Sequence, residues 1–266
     1  MSSNMTLSGL TNLRGTVRIL GVALGLAAAL DATTPTLAVQ ENHYMAEHDQ
    51  PTLPGEALDN RQQSIVPIAA LAAAGDIPGL NGAINRGLDA GLTISEAREV
   101  LVQLYAYAGF PRSLNALGEL MKVVQARKQQ GIVDQPGREP SKSIPKGDAL
   151  LAAGIANQTR LSGGSVEGAL FDFAPVANEY LRAHLFGDIF ERDNLDWQSR
   201  EIATVAMLSA LEGVTPQLQA HIRIAMNTGV TPQQLRQLSQ LLGEHVSADV
   251  SRRASDALEL YMAAGQ

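Results

Sequence analysis

The chain has 266 residues, room for one large or two small domains, and its 45% apolar content supplies a core, which excludes a disordered polymer. Aromatics make up only 4%, with alanine, leucine and glutamine abundant, which favours close-packed helices over a sheet. A formal net charge of −7 argues against a phosphate-binding surface, so no nucleic-acid partner is expected, and zero cysteines exclude disulfides, thiolate metal sites and thiol nucleophiles.

Residues 1–38 read as a secretory signal: Arg14 and Arg18 supply a basic start, Ile19 to Leu30 an apolar run, and Thr36-Leu37-Ala38 a small-residue cleavage pattern. Cleavage after Ala38 removes Arg14, Arg18 and Asp31, a net +1, so the exported chain, periplasmic or secreted, carries −8. The apolar run falls short of the about 20 residues that cross a bilayer, and nothing after it can anchor the chain, so no membrane association is expected once the signal is gone. Residues 39–56 are polar, contain Pro51 and Pro54, and read as a flexible tail. His43, Glu47 and His48 in that tail lack the His-Glu-x-x-His spacing that sets two ligands on one helical face, so no metal site is expected there.

A first helical unit is expected over residues 57–130, with helices at Ile65 to Ala74, Leu80 to Ala90, Ser95 to Tyr107 and Ser113 to Arg127, broken at Gly75, Gly91 and Gly109-Phe110-Pro111. Residues 131–147, with Gly131, Pro136, Gly137, Pro140 and Pro145 among charges, read as a solvated linker. The second unit, 148–266, is expected to carry helices at Asp148 to Gln158, Phe173 to Phe186, Trp197 to Leu211, Pro216 to Asn227, Pro232 to Leu242 and Ala248 to Ala263.

A shift of 138 residues without a gap superimposes Gly75 on Gly213, Pro78 on Pro216, Leu80 on Leu218, Ile84 on Ile222, Gly91 on Gly229, Thr93 on Thr231 and Arg98 on Arg236. Gly91 and Gly229 stand just past a helical run, where the left-handed conformation is needed. Thr93-x-x-Glu96 and Thr231-Pro232-x-Gln234 then form capping boxes that open the next helix, the second with proline at its first position. The expected architecture is all-α, two diverged copies of one unit related by a pseudo-twofold axis, with a ligand cleft at their junction.

The copies differ in ionisable residues. Glu201 stands where the first copy has Gln63, and His221 where it has Ala83, so only the second unit keeps a carboxylate and an imidazole. Packed against each other in a poorly hydrated pocket, they suit proton transfer. Each also has a plain structural reading, Glu201 as a charge at the positive end of its helix and His221 as a hydrogen-bonded core residue. His184 and His245 are further candidates to line the cleft, and Arg182, Arg192, Arg200 and Arg223 can each hold a carboxylate in bidentate fashion. Gly163-Gly164-Ser165-Val166-Glu167 is not a nucleophile elbow, and neither a Rossmann fingerprint nor a P-loop is present.

Arg200-Glu201 ahead of an apolar helix, then His221-x-x-x-Ala225-x-x-x-Gly229-Val230-Thr231, resembles the carboxymuconolactone decarboxylase family. So does the first unit, from Ala90-Gly91-Leu92-Thr93 through Glu99 to Tyr105-Ala106-Tyr107-Ala108-Gly109-Phe110-Pro111 and Leu114-Asn115-Ala116. His184-Leu185-Phe186-Gly187-Asp188-Ile189-Phe190-x-Arg192 and Leu195-Asp196-Trp197 extend the resemblance, in tandem form, over residues 60–262. The resemblance implies two tandem alkylhydroperoxidase-D-like units, usually assembled as a homo-oligomer. The family's peroxidase branch carries Glu and then Cys-x-x-Cys-x-x-x-His. The two thiol positions are Val214 and Gln217 here, so that redox chemistry is physically unavailable.

The decarboxylase branch needs neither cofactor nor metal. For it the resemblance implies His221 as proton donor, Glu201 orienting or recharging it, and Arg200 or Arg223 positioning a substrate carboxylate, with His184, Gln217, His245 and Tyr107 as further substrate-binding candidates. The name-giving activity is intracellular while this chain carries an export signal, so the expected substrate is a small carboxylated lactone or a related carbonyl compound. The alternative, of a different class, is a non-catalytic helical protein that binds a ligand or serves as an oligomeric scaffold.

Overall fold

A computed structural model describes residues 57–264, and the proposed signal (1–38), the tail (39–56) and the His43, Glu47, His48 group lie outside the described residues. Every regular element among the described residues is a helix. The first repeat comprises α1 (Asn60–Ala74), α2 (Ile77–Asp89), α3 (Ile94–Gln103) and α4 (Tyr105–Gln129). After the connector come α5 (Asp148–Ser162), α6 (Ala169–Phe173), α7 (Pro175–Tyr180) and a π-helical segment (Leu181–Ile189). The second repeat is α8 (Trp197–Ala210), α9 (Thr215–Asn227), α10 (Pro232–His245) and α11 (Ala248–Ala264).

The 138-residue shift carries the bounds of α2 onto those of α9, and the first residue of α3 onto that of α10. Local chemistry explains the agreement. Gly91 and Gly229 hold φ of +93° and +97°, a region that costs residues with a Cβ about 1–2 kcal/mol. Thr93 and Thr231 each form a complete capping box, with Glu96 and Gln234 respectively. Helix α3 ends at Gln103 rather than reaching Tyr107, and Gly109, at φ +79° and ψ 162°, separates the short turn at Tyr105 from the body of α4, which Pro111 opens.

Packing repeats as well: α1 lies on α2 as α8 lies on α9, α3 on α4 as α10 on α11, and α2 on α4 as α9 on α11. The two copies join through α1 and α8, which pack on each other at the centre. Residues Ile65–Ala73 of α1 and Ser199–Ser209 of α8 are buried without interruption, as expected of helices enclosed on every side. One shared core thus covers both units, each large aliphatic residue in it contributing about 1.5–3 kcal/mol.

The connector contains no helix and is mostly exposed, but it is tied down. Ile94 and Ser95 donate backbone N–H groups to the carbonyls of Gln135 and Pro136, and Gly137 lies so close to Thr93 that any side chain there would overlap it. The single helix expected over Phe173 to Phe186 is instead three pieces, because Pro175 cannot donate into a continuous helix and the backbone then widens into the π segment. This region and α5 form a cap whose Leu161, Leu185, Phe186, Ile189 and Phe190 pack on Ile224 of α9, with Tyr105, Tyr107 and Trp197 at the edge. Gly154 of α5 permits the cap's closest approach, since a Cβ there would overlap the Arg182 carbonyl.

Candidate functional site

Asp196 starts α8 by accepting hydrogen bonds from the backbone and side chain of Ser199, both at 2.8 Å. Glu201 follows one turn later and is wholly buried. On α9, the residues Leu218, His221, Ile222 and Ala225 form the inward face, so His221 is presented to α8. Its Nδ1 lies 2.8 Å from Glu201 Oε2. With Glu201 ionised, Nδ1 carries the hydrogen and Nε2 is the atom left to exchange a proton.

Tyr107 brings a third group across from the first repeat. Its ring meets the His221 ring edge-on, with centroids 5.4 Å apart and planes at 82°. Burial, and then the negative charge of Glu201, hold the Tyr107 phenol above its ordinary value of 10.0, so it stays a neutral donor. Glu201 Oε1 is buried without a hydrogen-bond partner among the described residues, and the Tyr107 hydroxyl, also buried, lies near the Thr204 side chain without a well-formed bond to it. Poorly satisfied polar atoms beside a buried imidazole are costly to folding and mark a candidate functional site.

A second polar cluster supports this one from beneath. Ser95, Glu99 and Gln103 recur every four residues on α3 and all are buried, a polar stripe turned toward the second half of the chain. Glu99 receives Arg192 bidentately at 2.7 and 2.9 Å, Arg200 at 2.9 Å and Asn194 at 3.0 Å. Arg200 also bonds Gln103 and the Arg192 carbonyl. Although burial alone would raise it, the Glu99 carboxyl is held below its ordinary value by the Arg192 hydrogen bonds, the Arg200 charge and Asn194. From the sequence, Glu99 entered only among the residues of the family resemblance, with no role; the signal for its burial was the four-residue recurrence of polar side chains among Val100, Leu101 and Leu104.

The remaining candidates are dispersed. Arg200 is wholly buried and bound to Glu99, so the expectation that it faces a substrate is corrected: its guanidinium is committed inside the protein. Arg223 follows His221 by two positions, about 200° around the helix, and is exposed in a different cavity with Pro216, Gln219, Ala220 and Tyr261. Gln217, one turn ahead of His221, is exposed. His184 sits half-exposed on the π segment, paired at 2.6 Å with Asp188 and 5.3 Å from the Tyr105 ring, outside the Glu201–His221 contact. His245 lies at the end of α10, in a cleft of the first repeat. The structure therefore gathers Glu201, His221 and Tyr107, and separates the others. A cavity of about 590 Å³ opens one turn before Glu201, at Trp197 and Gln198, where Arg160 lies over the Trp197 ring at 4.9 Å and Lys142 adds a second cation.

The profile of the carboxymuconolactone decarboxylase family matches residues 41–121 and again 175–259, one match on each repeat. An uncharacterized protein of Methanocaldococcus jannaschii is 30% identical over 69 residues, 26% of this chain and 64% of that protein. The chain thus spans less than two thirds of the length of this curated relative.

Proposed function

Starting from the fact that the chain belongs to the carboxymuconolactone decarboxylase family, we propose that it is a cofactor-independent acid/base enzyme acting on a small carboxylated lactone or a related carbonyl compound. The observation that carries this reading is the buried 2.8 Å contact between His221 and Glu201 beside the Tyr107 ring. In the proposed step the bond from carbon to the substrate carboxylate breaks, CO₂ leaves, and the electron pair spreads onto the neighbouring carbonyl oxygen. The Tyr107 hydroxyl donates to that oxygen, where an added donor lowers the barrier most. His221 Nε2 then delivers a proton to carbon, and Glu201 stabilises the imidazolium before and the tautomer after the transfer.

Neither Arg200 nor Arg223 enters this reading as the carboxylate clamp. Lys142 and Arg160, in the cavity at the start of α8, are the candidates for that task. Export and homo-oligomeric assembly belong to the same proposal and rest on the N-terminal pattern and the family resemblance.

The test is a turnover screen on carboxylated lactones and β-keto acids with the wild-type protein and the His221→Ala variant. A substrate turned over by the wild type and lost in the variant supports the reading. Unchanged turnover in the variant, or saturable binding with no turnover by either protein, overturns it, the latter in favour of a binding protein.

A further inference from the structure

The pseudo-twofold that relates the two repeats must also give the Glu201–His221 pair a counterpart in the first repeat. Subtracting 138 takes Glu201 to Gln63, His221 to Ala83 and Ala225 to Gly87, while adding 138 takes Tyr107 to His245. These four residues, Gln63, Ala83, Gly87 and His245, line one cleft of about 230 Å³ between α1, α2 and α10, together with Arg86. The counterpart is therefore a real concavity, at which Ala83 has a methyl group where the second repeat has an imidazole. Among the described residues no cap lies over it, whereas α5 and the π segment cover the second-repeat site.

Its chemistry is inverted. The second-repeat site is built around a carboxylate; the first-repeat cleft contains none among its lining residues, the nearest being Glu244 at 4.0 Å from the His245 imidazole, and instead offers the Arg86 guanidinium and the amide of Asn60. Where Glu201 repels an anion, Gln63 presents a neutral amide, one of whose Nε2 hydrogens is held by the Leu58 carbonyl at 2.7 Å, so the anion contact falls to Arg86. Guanidinium is the group best shaped to take a carboxylate through two parallel hydrogen bonds. A cleft of this volume, at roughly 20–30 Å³ per non-hydrogen atom or water-sized unit, holds a ligand of about ten such atoms.

We propose that this first-repeat cleft is a separate, non-catalytic binding site for small carboxylates, with Arg86 as its anion contact and His245 at its rim. The site is independent of the chemistry assigned to the second repeat, because the residues that would carry that chemistry are absent from it.

Titration of the full chain with succinate, followed by NMR of the histidine side chains, tests this. His245 should shift saturably, and succinamide, the neutral analogue, should leave it in place. Arg86→Gln, at an exposed position, should weaken succinate at least about tenfold, the loss expected when a charged hydrogen-bond partner is removed, and His221→Ala should leave the His245 titration unaltered. No saturable shift at His245, an equal response to succinamide, or equal affinity in Arg86→Gln overturns the proposal. None of these results depends on whether the protein turns over any substrate.

Discussion

Glu99 of the first repeat and Arg200 of the second meet at 2.9 Å with neither side chain exposed, so the contact that ties the two halves most deeply is an ion pair inside the core. Desolvating two charges is tolerated here because Arg192, Asn194 and Gln103 supply most of the hydrogen bonding around them, leaving Arg200 Nε without a partner among the described residues. Removing the acid alone leaves Arg200 charged and enclosed. Glu99→Ala is expected to cost about 3–5 kcal/mol, read as a lower denaturant midpoint. A cost below about 1 kcal/mol, the range of surface pairs, would show that the pair is not holding the halves together.

The same carboxylate sets an acid limit on stability. Its folded-state value lies below the ordinary 4.5, so its contribution is complete above that pH and disappears as pH falls through the depressed folded value. The stability difference between wild type and Glu99→Gln should therefore be constant from neutral pH down to about 4.5 and shrink below it. A difference that grows on acidification contradicts the assignment.

Tyr107 separates stability from activity. Its hydroxyl is buried without a well-formed bond, so Tyr107→Phe removes a poorly satisfied group and should leave stability within about 1 kcal/mol of the wild type. If the phenol donates to the developing oxyanion, kcat should drop by about 10²–10³-fold with little change in KM. Thermal unfolding and steady-state kinetics on one preparation read both effects, and an unaffected kcat removes Tyr107 from the proposed reaction.

Glu201 and His221 should behave as one unit. His221→Ala is expected to lower kcat by about 10²–10⁴-fold, and Glu201→Gln by less. The double variant should be no slower than His221→Ala, because a proton donor and the group that orients it fail together. Multiplicative losses in the double variant would mean that the two residues act separately, despite their 2.8 Å contact.

At Gly91 the cost of a side chain is purely conformational, since φ is +93° and a Cβ would meet nothing within 4 Å. Gly91→Ala should lower stability by about 1 kcal/mol without altering kcat. A change in activity there would indicate that the α2–α3 turn is coupled to the site.

Outside residues 173–186 and the end of α3, the helices, their stops and the duplication were legible in the residues because each depends on neighbours only a few positions away. Thr93 reaches Glu96, Thr231 reaches Gln234, and Gly91 and Gly229 each adopt one backbone conformation. The pairing of Glu201 with His221 was also within reach, since an antiparallel neighbour and a shared apolar face leave few alternatives.

What tertiary packing decided is which side chains meet across long separations. Arg200 had the right charge to hold a substrate, yet Glu99, 101 residues away in the chain, takes it into the core. Tyr107 joins His221 only because the turn after α3 crosses to the other repeat, and His245 goes to the opposite cleft because the twofold sends it there. A hydrogen bond from residue i to i+3 is set by helix geometry, whereas a contact across a hundred residues exists only once the two repeats bury their apolar faces against each other, and no local pattern of residues encodes that docking angle.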